Sequence, residues 1–270
     1  MPWITANGIS IHYRLAGNGG PSVVLLHEMG GTLDSWDAVA PALTGTFRAL
    51  CYDQRGAGLS EKVRQPFTLE TQVDDLEAVL AALAPKPPYH FVTVAASTAQ
   101  ALRFMERHPE KIGSFVFCNP LAGVDPSRAS ALDERADFAA REGMRAALGV
   151  TLDKSWPPDI GDRAAYEAYR GRYLANDPVC FALVNRALAR TDVRHLVKRI
   201  ACPTMIVAGR FDQVRPAAGS EQMAGDIPGA RFELIDAVHM MPAQAPGPLT
   251  ALLKDFLAKA AAAPAAHRAN

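Results

Sequence analysis

The pattern of hydrophobic and polar positions predicts a series of strands, most of them buried on both faces. Residues 9–14 alternate apolar and polar side chains, which indicates a strand with one face in solvent, and Gly8 suggests a hairpin with residues 3–6. The later strands are predicted mainly from continuous apolar runs, which are typical of strands covered on both faces of a sheet. These strands occupy residues 23–26, 47–52, 91–94, 114–118, 204–208 and 231–235.

Helical periodicity fills the intervals between these strands. Thr68 precedes an amphipathic pattern that places Val73, Leu76, Val79 and Leu80 on one helix face. Further helices are predicted over residues 36–43, from 97 to 108, around 222 and from about 246. Strands that alternate with helices over short connections favour an α/β fold, in which a mostly parallel sheet carries helices on both faces.

One long segment breaks this alternation. Residues 121–194 contain no buried-strand run and are helical in composition, so we interpret them as an all-helical lid over the carboxyl edge of the sheet. The expected organisation is a core of residues 1–120 and 195–260 and a lid of residues 121–194. Residues 261–270 are low in complexity and are expected to form a disordered tail.

Composition and charge narrow the class of partner. The 270 residues carry 28 basic and 28 acidic side chains, so the chain has no electrostatic footprint for nucleic acid or an anionic membrane. The first residues lack the regions of a signal peptide, and no apolar run reaches the length of a membrane span. The four cysteines lack metal-ligand spacing. We expect a cytoplasmic protein that acts on a small-molecule substrate without metal or cofactor, with a homodimer left open.

Three residues of catalytic type follow predicted strands. Ser97 follows the strand at 91–94 within the sequence AASTA, Asp212 follows the strand at 204–208, and His239 follows the strand at 231–235. Because the carboxyl ends of parallel strands meet at one edge of a sheet, we expect the three side chains to lie together. A serine at a strand-to-helix turn also has the N–H groups of the helix start beside its hydroxyl.

These residue types fit nucleophilic catalysis. A serine hydroxyl needs a base to take its proton, for which we expect His239, and a carboxylate, Asp212, to orient the imidazole and stabilise its charged form. The developing oxyanion needs two N–H donors, which we expect from the main chains of Met29 and Thr98. Asp125, after the strand at 114–118, is the alternative acid. A structural alternative for the serine is a helix N-cap.

The chain resembles the α/β-hydrolase superfamily, whose triad follows the order serine, acid, histidine. The resemblance is narrower to 3-oxoadipate enol-lactonase-like hydrolases and neighbouring ring-cleavage hydrolases. It rests on HEMGG at 27–31, DQRGAGLS at 53–60, HPE at 108–110 and the residues after the strands. It implies an α/β-hydrolase fold with an eight-stranded sheet. The implied enzyme is a serine hydrolase that cleaves an enol-lactone or ester from aromatic or heterocyclic catabolism through an acyl-enzyme.

The elbow departs from the G-x-S-x-G pattern of this superfamily, because Ala95 and Ala99 replace both glycines. The strained backbone of such a turn belongs to the serine itself, so we expect an intact elbow centred on Ser97. Hydrolysis of a carbon–carbon or amide bond within the same fold is one alternative function. The alanines favour another, a non-catalytic protein that keeps the fold to bind a ligand.

The predicted lid and the turn after residues 23–26 supply candidates for a substrate pocket. Arg128 and Arg145 are candidates to hold a substrate carboxylate through two hydrogen bonds. Glu28 stands where such turns usually carry glycine, and it either shapes the pocket or turns away into a structural ion pair. Three aromatic lid residues are candidates either for the pocket wall or for a lid core: Trp156, Tyr169 and Tyr173.

Overall fold

The computed structural model describes residues 2–17, 19–83 and 86–262, which form an eight-stranded sheet flanked by helices. The strands are β1 (Trp3–Ala6), β2 (Ile9–Ala16), β3 (Ser22–Leu26), β4 (Arg48–Tyr52), β5 (Tyr89–Val94), β6 (Ile112–Cys118), β7 (Thr204–Gly209) and β8 (Arg231–Ile235). The α-helices are α1 (Leu69–Leu83), α2 (Ser97–Arg107), α3 (Ala129–Ala147), α4 (Leu152–Ser155), α5 (Arg163–Leu174), α6 (Pro178–Ala189), α7 (Ala217–Gly225), α8 (Met241–Gln244) and α9 (Pro246–Ala262). The predicted α/β fold is confirmed.

The strand order explains why several loops meet at one place. The order is β1-β2-β4-β3-β5-β6-β7-β8, and every pair from β4–β3 onward is parallel. The β1–β2 and β2–β4 pairs are antiparallel. The loops that follow β3, β5, β6, β7 and β8 therefore leave the same edge of the sheet, where chemistry in open parallel sheets collects.

Strand β5 shows how the sheet holds its two helical layers. Phe91 faces the hydrophobic cluster that includes Leu76 of α1 and Leu102 of α2. Its neighbour Val92 faces the opposite cluster, which includes Leu253 of α9. Full burial of such side chains contributes about 1.5–3 kcal/mol each, so the continuous apolar runs are what a sheet covered on both faces requires.

The predicted helix over residues 36–43 is wrong. This segment instead forms two short 3₁₀ helices, Leu33–Trp36 and Ala40–Ala42. Pro41 has no N–H to donate, and its ring would clash with the carbonyl four residues earlier in an α-helix. The apolar side chains at helical spacing, including Trp36 and Leu43, are still buried against the sheet.

The chain between β6 and β7 is helical and packs through aromatic side chains. Its cluster contains Trp156, Tyr169 and Tyr173, together with Val238 and Met240 from the loop after β8. The division of the chain into core and lid stays a prediction. The predicted tail begins inside α9, which runs to Ala262, and residues 263–270 lie outside the described residues. None of the described helices combines the length and apolar character needed to cross a bilayer.

Candidate active site

Asp212 and His239 meet at the carboxyl edge of the sheet, on the loops after β7 and β8. His239 Nδ1 lies 2.6 Å from Asp212 Oδ2. The two loops are joined by a bond from the N–H of Phe211 to the carbonyl of Ala237, over 2.9 Å. A Cβ at Gly209 would lie 2.5 Å from that same carbonyl, so only glycine allows the loops to approach this closely.

The hydrogen bonds of Asp212 fix the state in which it holds His239. Its side chain is fully buried, and its other oxygen accepts from the N–H groups of Val214 and Arg215, each over 2.8 Å. Because a carboxylate only accepts, Nδ1 of His239 is the nitrogen that donates, and in the neutral imidazole this leaves the lone pair on Nε2. Asp125, the alternative acid, instead accepts from the N–H and hydroxyl of Ser127 on the exposed surface, which lowers the pKa of Asp125.

Asn119, at the end of β6, ties the histidine loop to the sheet. Its Nδ2 donates to the carbonyls of Val238 and His239 over 3.1 and 3.3 Å. Its Oδ1 accepts from the N–H of Gly209 over 2.7 Å. The side chain is fully buried and its backbone is left-handed, with φ of 46°. One amide therefore connects the loops after β6, β7 and β8, and so helps to hold Asp212 and His239 in register.

The turn between β5 and α2 is centred on Ala95, which corrects the expected position of the elbow. Ala95 has a left-handed φ of 51°, whereas Ser97 is already the first residue of α2. The N–H of Ala95 donates to Cys118 over 2.9 Å, and its carbonyl accepts from Leu121 over 3.1 Å. A left-handed alanine costs about 1–2 kcal/mol, which these bonds to neighbouring elements help to offset. The strain that marks an elbow thus lies two residues before the serine.

Ser97 is engaged with the main chain behind this turn. Its Oγ accepts from the N–H of Val94 over 3.0 Å and lies 2.9 and 3.1 Å from the carbonyls of Val94 and Leu26. No hydrogen bond joins it to His239 within the described part of the chain. The structure brings together Asp212 and His239 of the expected triad, and it does not bring Ser97 to them.

Two main-chain N–H groups beside the turn have no acceptor within the described residues. One belongs to Ala96, which directly precedes α2, and the other to Met29, in the turn after β3. The expected donor Thr98 is different, because its N–H already donates to the carbonyl of Ala95 over 3.1 Å. Ala96 therefore replaces Thr98 as the candidate oxyanion donor, and Met29 stays a candidate. The positive end of the α2 dipole would favour negative charge at this place.

These groups open onto a cavity of about 970 Å³. Ala95, Ala96, Met29 and His239 line its floor, and side chains from the helical segment between β6 and β7 line its walls. Basic side chains outnumber acidic ones around it. The basic residues are Arg128, Arg135, Lys154, Arg194 and Arg215. The acidic residues are Asp125 and Glu134.

The candidate pocket residues divide between this cavity and the protein interior. Arg128 and Tyr173 line the cavity, whereas Arg145 is exposed on α3 away from it. Trp156 is fully buried and donates through Nε1 to the carbonyl of Ile160 over 2.8 Å, as a core residue does. Tyr169 is 1% exposed, and burial next to Glu28 raises the pKa of its hydroxyl. The helical spacing of these aromatics therefore reflects packing for Trp156 and Tyr169.

Glu28 turns away from the large cavity into a hydrogen-bonded cluster. Its Oε1 accepts from the hydroxyl of Tyr169 over 2.5 Å and from that of Ser35 over 2.7 Å. A Cβ at Gly31 would lie 2.2 Å from the same oxygen. The carboxyl is bound by hydroxyl groups rather than by a basic side chain, and it lines a smaller cavity beside Ser97. Glu28 thus connects the turn that carries Met29 to helix α5.

Sequence reasoning missed Ala95, Ala96, Arg135 and Arg215. The signal for Ala95 was the end of the apolar strand, since the first residue after Val94 is the one that the turn presents. The signal for Arg215 was its position three residues after Asp212. Nothing in the sequence distinguishes Arg135 from the other arginines of its helix.

Comparisons with known proteins show which chains this one resembles. The chain is 23% identical to 3-oxoadipate enol-lactonase 2 of Acinetobacter baylyi (strain ATCC 33305 / BD413 / ADP1), over 90% of this chain and 91% of that protein. It is 29% identical to the putative carbamate hydrolase RutD of Caulobacter vibrioides (strain NA1000 / CB15N), over 83% and 86%. The crystal structure of the enol-lactonase from Burkholderia xenovorans LB400 matches with a TM-score of 0.88 and 27% identity, over 95% of this chain and 100% of that one.

A family model matches most of the chain. The sequence model of the alpha/beta hydrolase fold covers residues 21–246, which include strands β3 to β8 and the residues that line the cavity. The expected resemblance to enol-lactonase-like proteins is confirmed by the relatives. The chain is therefore a member of the alpha/beta hydrolase fold family, with alanine at the turn after its fifth strand.

Proposed function

We propose that this protein hydrolyses a small carbonyl compound of ester or lactone type, and that His239 activates the attacking water directly. The observation that carries the proposal is the Asp212–His239 pair at a cavity in which the elbow presents Ala95. Membership of the family supports hydrolytic activity. The names of the enol-lactonase relatives support a lactone, and the name of the carbamate hydrolase relative keeps the amide or carbamate class as an alternative.

The proposed reaction has no covalent intermediate. Water attacks the carbonyl carbon while Nε2 of His239 takes one of its protons, and Asp212 stabilises the imidazolium that forms. The N–H groups of Met29 and Ala96 donate to the oxyanion of the tetrahedral intermediate. The intermediate then expels the leaving oxygen, which receives the proton from His239, and the product acid is released.

The size of these contributions to the rate limits the class of substrate that this route can hydrolyse. A general base supplies about 10²–10⁴ in rate, and each oxyanion donor about 10²–10³. Without a serine nucleophile the difficult step is not divided into two easier ones. The route therefore favours carbonyl compounds with a good leaving group, such as an enol-lactone or an aryl ester, over simple amides.

Two other mechanisms compete with this one. The acyl-enzyme route expected from the sequence would need Ser97 to leave its main-chain hydrogen bonds and reach the cavity. The second competitor is a binding protein without catalysis, which the methyl group of Ala95 favours, because that position carries no hydroxyl.

The test is steady-state hydrolysis of p-nitrophenyl acetate and the lactone dihydrocoumarin by wild type, His239→Gln and Ser97→Ala. We expect wild type to hydrolyse both without a burst of product. His239→Gln should lower kcat by about 10²-fold or more, because it removes the base. Ser97→Ala should retain kcat within about tenfold, since its hydroxyl bonds only main-chain atoms and one such bond contributes about 1 kcal/mol.

Two results would contradict the proposal. A loss of kcat in Ser97→Ala as large as that in His239→Gln would support the acyl-enzyme route. Equal rates in wild type and His239→Gln, at the level of buffer alone, would support a binding protein. Circular dichroism of each variant separates these results from unfolding.

A further inference from the structure

The walls of the active-site cavity carry an excess of positive charge. Five basic and two acidic side chains line it, although the chain as a whole has formal net charge zero. Two of the basic residues, Arg128 and Arg135, come from the segment between β6 and β7. A third, Arg215, lies on the loop that Asp212 anchors, where its N–H donates to the Asp212 carboxylate over 2.8 Å. Arg215 and His239 therefore face the same cavity.

These three arginines form no ion pair within the described residues. On the outer side of α3 the situation is the opposite, because Arg186 forms an ion pair with Asp137, and Arg190 pairs with Asp133 over 3.0 Å. Arg135 donates only through Nε, to the neutral amide oxygen of Asn185 over 2.7 Å. Its two terminal nitrogens are left for another acceptor.

Burial makes this lack of partners costly. Arg135 and Arg215 are both half-buried, and their burial lowers the pKa of each guanidinium. The charge of Arg128 lowers the pKa of both as well, whereas the Asp212 carboxylate raises that of Arg215. Like charges brought together without a counter-ion destabilise a fold, and a bound anion would remove that penalty.

Nearby carboxylates compensate two of the arginines only in part: Asp125 attracts Arg128 and Asp212 attracts Arg215, but neither pair approaches to ion-pair distance. Asp125 is exposed and its carboxylate accepts from Ser127. Glu134 is exposed and forms no ion pair within the described residues. Asp212 is already bound to His239 and to two main-chain N–H groups.

We propose that Arg128, Arg135 and Arg215 form a subsite for an oxyanion group of the substrate, either a carboxylate or a phosphate. The planar guanidinium matches both groups with two parallel hydrogen bonds. The subsite rests on the proposed function for its role, since it would hold an anionic substrate with its carbonyl toward His239. Its existence as a binding site does not depend on hydrolysis.

The test is isothermal titration of the protein with glutarate, inorganic phosphate and the neutral analogue glutaramide. We expect at least one of the two anions to bind, glutaramide to bind at least tenfold more weakly, and the anion affinity to fall as salt is raised. Arg135→Gln and Arg215→Gln should each raise Kd about tenfold or more, because each removes a charged hydrogen-bond donor. Comparison of the Kd values of glutarate and phosphate shows which of the two anions the subsite prefers.

The controls separate this site from charge in general and from catalysis. Arg145→Gln removes an exposed arginine that follows the kink at Gly143 and does not line the cavity, and it should leave Kd unchanged. Arg215→Lys keeps the charge without the planar fork, and it should bind with intermediate Kd. His239→Gln should keep anion binding whether or not the hydrolase proposal holds. Binding of neither anion, equal binding of glutaramide, or equal Kd for wild type and both glutamine variants would overturn the subsite.

Discussion

A single methyl group occupies the place where the turn after β5 presents a side chain to the cavity. Ala95 holds the left-handed backbone of that turn, and Ala96 and Met29 leave N–H groups beside it. A left-handed turn beside such N–H groups is typical of a catalytic serine, but position 95 carries no hydroxyl. Among the described residues that line the cavity, His239 is the reactive group held by a buried partner, Asp212.

The sequence predicts Asp212 and His239 more readily than the elbow, for a physical reason. Each of those two is the sole residue of its type in its loop, so a shift of one or two positions along the chain does not change the choice. The elbow depends on which residue adopts the left-handed backbone. The pairing of β5 with β6 ends at Val94, and the next residue, Ala95, adopts the left-handed backbone. From the sequence alone, the serine two residues after Ala95 is the more obvious choice for the elbow.

The variant Asp212→Asn tests the tautomer of His239. An amide nitrogen facing Nδ1 would donate to it and so favour the tautomer with the proton on Nε2, which removes the base from the cavity. We expect kcat for p-nitrophenyl acetate to fall about 10²-fold or more with little change in KM. Asp162→Asn changes an exposed acid that caps α5 and does not line the cavity, and it should leave kcat unchanged. Equal kcat for wild type and Asp212→Asn would contradict the assignment.

Helices and loops between the strands position the site more than the strands themselves do. The predicted strands all form, since apolar runs of this length fit a sheet with two covered faces. The helix expected over residues 36–43 does not form, because Pro41 overrides the periodicity of its neighbours. Contacts between distant elements, such as those of Glu28 with Tyr169, depend on tertiary packing and leave no local signal.

Tyr169→Phe tests the connection between helix α5 and the turn that carries Met29. The change removes one of the two hydroxyl donors to the buried Glu28 carboxyl. We expect the free energy of unfolding in urea to fall by about 0.5–1.5 kcal/mol, the contribution of one hydrogen bond, because Ser35 still donates to the same oxygen.

Tyr166→Phe is the matched control on the same helix. Its hydroxyl donates to Asp153 over 2.8 Å in a partly exposed position, so we expect a smaller loss. Equal losses in the two variants would contradict a specific role for the Glu28 bond.

In the whole molecule, the strand order explains why the meeting of Asp212 and His239 is predictable from the sequence and why the direction of the Ser97 side chain is not. The alternation of strands and helices implies a parallel sheet, and a parallel sheet implies that Asp212 and His239 meet. The same rule placed Ser97 at the correct edge of the sheet. It does not determine which way a side chain points there, and that direction decides the chemistry.

The cavity is likewise a property of the assembled fold. The three arginines of the proposed subsite come from α3, from the 3₁₀ helix Pro126–Arg128 and from the loop after β7. The neutral overall composition gives no hint of the local excess of positive charge. The sequence suggests Arg128 and Arg145 for a substrate carboxylate, and only the folded molecule shows that Arg135 and Arg215, rather than Arg145, join Arg128 at the cavity.

We propose that Ala95, and not Ser97, occupies the nucleophile position at the cavity that His239 also lines. Intact-mass measurement after treatment with a fluorophosphonate probe tests it, on wild type, Ser97→Ala and Ala95→Ser. We expect no adduct on wild type or Ser97→Ala, and one adduct on Ala95→Ser, located at position 95 by peptide mapping. An adduct on Ser97 of the wild-type protein that is lost in Ser97→Ala would contradict it.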